Sequence, residues 1–98
     1  MRREQVLNVL TAHRERLQAF SVKSLAVFGS VARDEAKEGS DVDVLVEFTP
    51  DRPVGLLRFI SLKQYLEEIL GCGVDLATPD ALREGMRDRI LREAIHAA

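Results

Sequence analysis

Apolar residues in this chain return at helical spacing in three stretches. Between Arg2 and Ala19 they recur every three or four positions, which predicts an amphipathic helix. The same spacing predicts a second helix over residues 59–70 and a third over Asp80 to Ala97. Val31 to Ala36 is long enough for one further short helix. Each of the three long helices has one apolar stripe to bury, so they are expected to pack on a common partner.

Three short apolar runs predict that partner, a buried sheet. Ser24 to Phe28 stops at a glycine and a serine, Asp41 to Phe48 alternates acidic residues and leucine with valines, and Val74 to Ala77 follows a glycine-rich turn. The helix over residues 59–70 connects the second and third runs, and a helical crossover makes two strands parallel. The first and second strands are expected to be antiparallel, or else to be brought back by the short helix.

The predicted order of elements is α-β-α-β-α-β-α over a single domain, residues 1–98. We therefore predict an α+β (α/β) fold with a small mixed three-stranded sheet packed with helices.

Composition narrows the class of protein. Hydrophobic residues make up 46% and charged residues 31% of the 98 residues, as in globular domains. No apolar run approaches the roughly 20 residues that cross a bilayer, and the N-terminal region lacks a secretory pattern, so we expect a cytoplasmic protein without a membrane partner. A formal net charge of −2 argues against a nucleic-acid partner.

Two aspartates of the second strand and one of the third are candidate metal ligands. Asp41 and Asp43 lie two positions apart, so their side chains leave the same face of a strand. Adjacent carboxylates repel unless a proton or cation compensates, and Mg²⁺ prefers carboxylate oxygens. Because the second and third strands are predicted to be parallel, Asp75 is expected beside the pair. The sequence thus predicts a magnesium site at one edge of the sheet.

A phosphate site is predicted next to these carboxylates. Gly29 lets a phosphate approach the backbone without a Cβ in the way, and Ser30 offers a hydroxyl and an N–H at the start of a helix. Two cations about 4 Å apart could then activate an attacking oxygen and stabilise a leaving pyrophosphate. The arrangement favours nucleotidyl transfer.

These residues carry a resemblance to a known family. Gly29-Ser30, ten intervening residues and Asp41-Val42-Asp43 resemble the signature of the DNA polymerase beta nucleotidyltransferase superfamily. The surrounding residues, from Phe28 to Arg33, from Ser40 to Phe48 and from Val74 to Leu76, are similar to the minimal nucleotidyltransferase (MNT) family. The likeness extends over nearly the whole chain, including Ile90 to Ala94.

The resemblance implies the polymerase beta-like fold and a division of roles. The implied Mg²⁺-binding and catalytic carboxylates are Asp41, Asp43 and Asp75, with Asp75 as general base. Gly29 and Ser30 would hold the phosphates of ATP, and Arg33 would assist them. Members of the family are often antitoxins encoded beside a HEPN-domain toxin, and some transfer AMP onto a tyrosine of that toxin. A HEPN toxin is therefore the expected partner, and a homodimer is an alternative way to complete a one-sided cleft.

Other interpretations stay open. The same pocket would serve a catalytically silent antitoxin that acts by stoichiometric binding, or a transferase acting on RNA or a small molecule. Arg33 could also be a solvated helix end. Glu47 shares the face of the two strand aspartates but lies farther along, where a solvated carboxylate is the simpler interpretation. The arginines between 83 and 92 alternate with acidic residues and are interpreted as a solvated helix face.

Overall fold

Five helices and four strands make up the described parts of the chain. The computed structural model describes residues 2–37, 39–50 and 55–97. The helices are α1 (Arg3–Ala12), α2 (Arg14–Gln18), α3 (Gly29–Ala32), α4 (Leu56–Leu70) and α5 (Glu84–Glu93), with a 3-10 turn at Pro79–Ala81. The strands are β1 (Val22–Phe28), β2 (Val42–Phe48), β3 (Val74–Ala77) and β4 (Ile95–His96).

The sheet has the order β3-β2-β1-β4. β2 and β3 are parallel, as predicted from the crossover helix, which is α4. β1 is antiparallel to β2. The last residues of β1 and the first residues of β2 and β3 therefore meet at one edge of the sheet, where the sequence predicts the site. The mixed α+β fold is confirmed.

The sheet has four strands, so the prediction of three was incomplete. Residues 80–97 were predicted as one helix, but that helix ends at Glu93, and Ile95 and His96 pair with Val27 and Ala26 of β1. Without this pairing β1 would expose a row of unpaired backbone groups, and short covering strands are a common solution. Ala94 and Ile95 fit a helical stripe as well as a strand, so spacing alone does not separate the two.

One face of the sheet carries the main core. Val27 and Val44, both fully buried, pack there against the apolar sides of α1 and α4, including Leu10 and Leu62. A bulge at Lys23 shifts the register of β1 against β2 and keeps its apolar residues on this face on both sides of the bulge. α5 lies on the other face, because Ile90 is buried outside this core cluster and shares a cavity with Phe28 and Asp43.

Other helix boundaries also differ from the prediction. α4 begins at Leu56, before residue 59, and α5 begins at Glu84, after Asp80. The first helix is interrupted at His13, whose backbone leaves the helical region (φ −103°, ψ 17°) and whose ring Nδ1 lies 2.8 Å from the carbonyl oxygen of Val9. The short helix begins at Gly29 and ends at Ala32, not over 31–36. None of the helices in the described ranges has the length and apolar character needed to span a membrane.

Candidate active site

The corner after β1 is built around Gly29. Its φ of 71° lies in the left-handed region, which glycine adopts without strain. Phe28 pairs with Asp43 across β1 and β2, so the next residue sits directly beside the Asp43 carboxylate. A Cβ at position 29 would overlap that carboxylate. Ser30 follows in the single turn of α3 and is half-buried. The corner thus needs glycine for two independent reasons, its backbone angle and its lack of a side chain.

Asp43 and Asp75 lie side by side. They are register partners on the parallel strands β2 and β3, and so point to the same face of the sheet. Asp43 is half-buried and Asp75 is exposed. The structure therefore brings these two sequence-predicted residues together next to Gly29.

Asp41 belongs to the same edge but lies just before β2, which begins at Val42. Its carboxylate packs against Gly73, where a Cβ would overlap it, on the side of β3. The Asp43 carboxylate instead packs against Gly29, on the side of β1. The two carboxylates therefore rest against different neighbouring strands.

The electrostatics of Asp43 are those of a crowded acidic site. Burial and, after it, the negative charges of Asp75 and Asp41 raise the pKa of this carboxyl above its ordinary value. The positive charge of Arg33 acts in the opposite direction but does not offset them. A cation placed between the carboxylates would remove the repulsion.

The donor set suits a hard divalent cation. Asp43 and Asp75 offer carboxylate oxygens from adjacent strands, the ligand type that Mg²⁺ prefers. Over residues 2–37, 39–50 and 55–97, no three acidic, histidine or cysteine side chains are already gathered closely enough to enclose a metal. Mg²⁺ commonly takes only one or two carboxylates from a protein and completes its coordination with water and substrate oxygens.

Arg33 is held by two carboxylates. Its Nε donates to Glu35 at 3.1 Å, and its Nη1 donates to both oxygens of Glu93 at 3.1 Å. Hydrogen bonds with Glu35 and Glu93 raise the pKa of Arg33, so the guanidinium stays charged. Arg33 is therefore close to the Gly29 corner, but its charge is already matched.

Glu93 joins the C-terminal helix to this corner. The backbone N–H of Gly29 donates to Glu93 Oε1 at 3.0 Å. Burial by itself would raise the pKa of Glu93, but the bonds from Gly29 and Arg33 outweigh it and lower the pKa. An anionic side chain thus occupies the N–H of Gly29, next to the Ser30 N–H and hydroxyl that were predicted to receive a phosphate.

A cavity of about 350 Å³ lies between α5 and the aspartates. Asp43 and Asp75 line one side, and Met86, Arg89 and Glu93 line the other. A larger cavity, of about 540 Å³, lies at the far end of the sheet near Glu47, but it contains none of the three aspartates. The smaller cavity, which Gly29, Asp43 and Asp75 line, is therefore the candidate active site.

The sequence alone did not identify two residues of this wall: Arg89 was interpreted as part of a solvated face over 83–92, and Glu93 was given no role. The signal that could have found them is their spacing: Met86, Arg89, Ile90 and Glu93 recur at three and four positions on one side of α5. A helix that buries Ile90 on the sheet must carry these neighbours towards the same surface.

Known proteins match this chain along most of its length. Residues 9–96 match the nucleotidyltransferase domain family. The chain is 45% identical over 94 residues to the protein adenylyltransferase MntA of Thermococcus cleftensis, covering 95% of this chain and 93% of that protein. A solved structure classed as a minimal nucleotidyltransferase is 39% identical, with a TM-score of 0.81 over 97% of this chain and 95% of the other.

More distant structures share the fold. One of them is a chain in the structure of a complex between a tri-AMPylated HEPN toxin of Shewanella oneidensis and an MNT antitoxin. That chain matches with a TM-score of 0.65 at 15% identity, over 98% of this chain and 71% of its own length. The sequence match, the shared fold and the position of Asp43 and Asp75 beside Gly29 all indicate the same family. The chain belongs to the nucleotidyltransferase domain family, and it is a nucleotidyltransferase of the minimal type.

Proposed function

We propose that this enzyme transfers AMP from ATP to a hydroxyl group of a partner protein, and that the acceptor is a tyrosine of a HEPN toxin. The observation that carries the proposal is the pairing of Asp43 with Asp75 beside Gly29 at the edge of the sheet. The choice of AMP and of a protein acceptor is supported by the relative from Thermococcus cleftensis, which is named a protein adenylyltransferase. The choice of a HEPN toxin is supported by the shared fold with the toxin–antitoxin complex.

The proposed cation site consists of Asp43 and Asp75, which line the cavity, and of Asp41 just before β2, and it would hold two Mg²⁺ ions. Bound Mg²⁺ would neutralise phosphate charge and make the acceptor hydroxyl more acidic. The raised pKa of Asp43 supports the site, since a group of carboxylates that repel one another gains most from a cation. Gly29 and Ser30 would receive the phosphates at the corner after β1. Arg33 uses Nε and Nη1 for Glu35 and Glu93, so it could assist them through Nη2 or by exchanging Glu93 for a phosphate oxygen.

In the proposed reaction the acceptor oxygen attacks the α-phosphorus and a new P–O ester bond forms. The bond from that phosphorus to the bridging oxygen of the β-phosphate breaks, and pyrophosphate leaves. The hydroxyl proton passes to Asp75, which is exposed at the start of β3 and so can be reached by a side chain of another protein. Asp43, half-buried beside it, is better placed to bind a cation than to meet the acceptor.

The test uses α-labelled ATP, Mg²⁺ and the purified candidate toxin, the product of the neighbouring open reading frame. We expect label to appear on a tyrosine with the native chain and to be lost with Asp43→Asn. Glu47→Gln is the matched control, because Glu47 lies on the same face of β2 but outside the cavity. Equal labelling by the native chain and Asp43→Asn would refute the proposal. Neutralisation of the toxin by Asp43→Asn without label would favour stoichiometric binding instead.

A further inference from the structure

The corner that should receive phosphates is short of free positive charge. Arg33 lies beside it and contacts both Glu35 and Glu93. One guanidinium between two carboxylates forms a cluster with a net charge of one negative unit. Such a cluster repels an incoming phosphate. The proposed Mg²⁺ ions would balance only part of the combined charge of the aspartates and a triphosphate, so a further cation from the protein would stabilise the bound nucleotide.

Arg89 is placed to supply that cation. It lies on α5 one helical turn before Glu93, on the same side of the helix, and it lines the cavity that Asp43 and Asp75 line from the sheet. Within residues 2–37, 39–50 and 55–97, no carboxylate pairs with its guanidinium. Its charge also contributes to the lowered pKa of Glu93, which agrees with a position close to the corner.

Among the described residues that line the cavity, the other cation is Arg33, which is already bonded to Glu35 and Glu93. Met86 and Ile90 are apolar, and Glu93 is negative and already bonded to Gly29 and Arg33. Across the cavity, the aspartates can meet phosphate oxygens only through a cation. A guanidinium binds phosphate with charge-assisted, often bidentate hydrogen bonds, and it does not require a metal to do so.

We infer that Arg89 contacts the phosphates of the bound nucleotide from the α5 side of the cavity. This inference rests on the proposed function, because it takes ATP as the ligand. It assigns α5 a binding role in addition to its packing on the sheet, and it divides the site into a metal side on β2 and β3 and a guanidinium side on α5.

The test compares Arg89→Gln, Arg89→Lys and the control Arg92→Gln. Arg92 is exposed on the same helix, donates to the carbonyl oxygen of Asp88 and does not line the cavity. The ligands are the α,β-methylene analogue of ATP, which cannot release pyrophosphate, and adenosine, each with Mg²⁺ in a calorimeter. Because Arg89 is exposed, its variants should fold, and their melting curves check this.

With Arg89→Gln we expect the analogue to bind about tenfold more weakly while adenosine binds as before, since one charge-assisted hydrogen-bond donor has been lost. Arg89→Lys should recover part of the loss, and Arg92→Gln should bind like the native chain. If Arg89→Gln binds the analogue like Arg92→Gln, the inference is wrong and the proposed function stands. If the native chain binds no analogue with Mg²⁺, the proposed function fails and the inference fails with it.

Discussion

Replacement of Gly29 by alanine should be unusually costly for a residue at the end of a strand. The first cost is conformational, because φ at this position is 71° and an L-residue in the left-handed region loses about 1–2 kcal/mol. The second cost is steric, because the new Cβ would overlap the Asp43 carboxylate. Forcing extra atoms into an occupied site typically costs about 1–3 kcal/mol. Together, Gly29→Ala should lower the free energy of unfolding by about 2–5 kcal/mol.

Two other glycines of this chain separate the contributions. Gly71 has the same φ of 71° but open space where its Cβ would be, so Gly71→Ala measures the conformational cost alone, about 1–2 kcal/mol. Gly73 is outside the left-handed region, but its Cβ would overlap the Asp41 carboxylate, so Gly73→Ala measures a comparable steric cost alone. The loss at Gly29 should exceed each of these two losses.

The assay is urea unfolding followed by far-ultraviolet circular dichroism, since the chain has no tryptophan to report by fluorescence. Gly29→Ala should also be measured in an Asp43→Ala background, where the carboxylate is gone. There its cost should fall towards that of Gly71→Ala, a coupling of about 1–3 kcal/mol. If Gly29→Ala costs no more than Gly71→Ala and shows no coupling to Asp43, the Asp43 carboxylate does not pack on this corner.

Three further predictions concern the same edge. In EDTA, which removes divalent cations, the raised pKa of Asp43 means that the folded state binds a proton at this carboxyl more tightly than the unfolded state does. The free energy of unfolding should therefore fall as the pH rises from about 4 through the raised pKa. Asp43→Asn should remove this fall in urea titrations at several pH values. Glu93→Gln removes a negative charge from the corner and releases Arg33, so calorimetry should show the ATP analogue binding about two- to fivefold more tightly; weaker binding would contradict this. Ile95→Ala should lower the free energy of unfolding by about 2 kcal/mol, near the lower end for isoleucine because the side chain is half-buried; no change would mean that β4 does not hold the edge of β1.

The sequence was sufficient to predict the pairing of the aspartates. Asp43 and Asp75 are each the second residue of a strand that begins with a buried valine. The helix between the two strands makes them parallel. Alternation along β2 then determines which face they share. Local periodicity and one rule of chain connection were enough to place these residues together.

Contacts between distant residues could not be predicted in this way. Glu93 reaches Gly29 across 64 positions, and no local pattern states which helix end a glycine N–H will meet. The choice of strand over helix at Ile95 is likewise made by the open edge of β1, which depends on the finished sheet. The interruption of the first helix at His13 could not be predicted either, because no proline or glycine lies next to it in the sequence.

The central claim is that Asp43 and Asp75 share a divalent cation beside a nucleotide at the Gly29 corner. The most direct measurement is anomalous X-ray scattering from crystals grown with Mn²⁺ and the α,β-methylene analogue of ATP. We predict a manganese peak bound by oxygens of both carboxylates and by a phosphate of the analogue. A bound analogue with no manganese peak at Asp43 and Asp75, or a peak elsewhere on the chain, would contradict the claim.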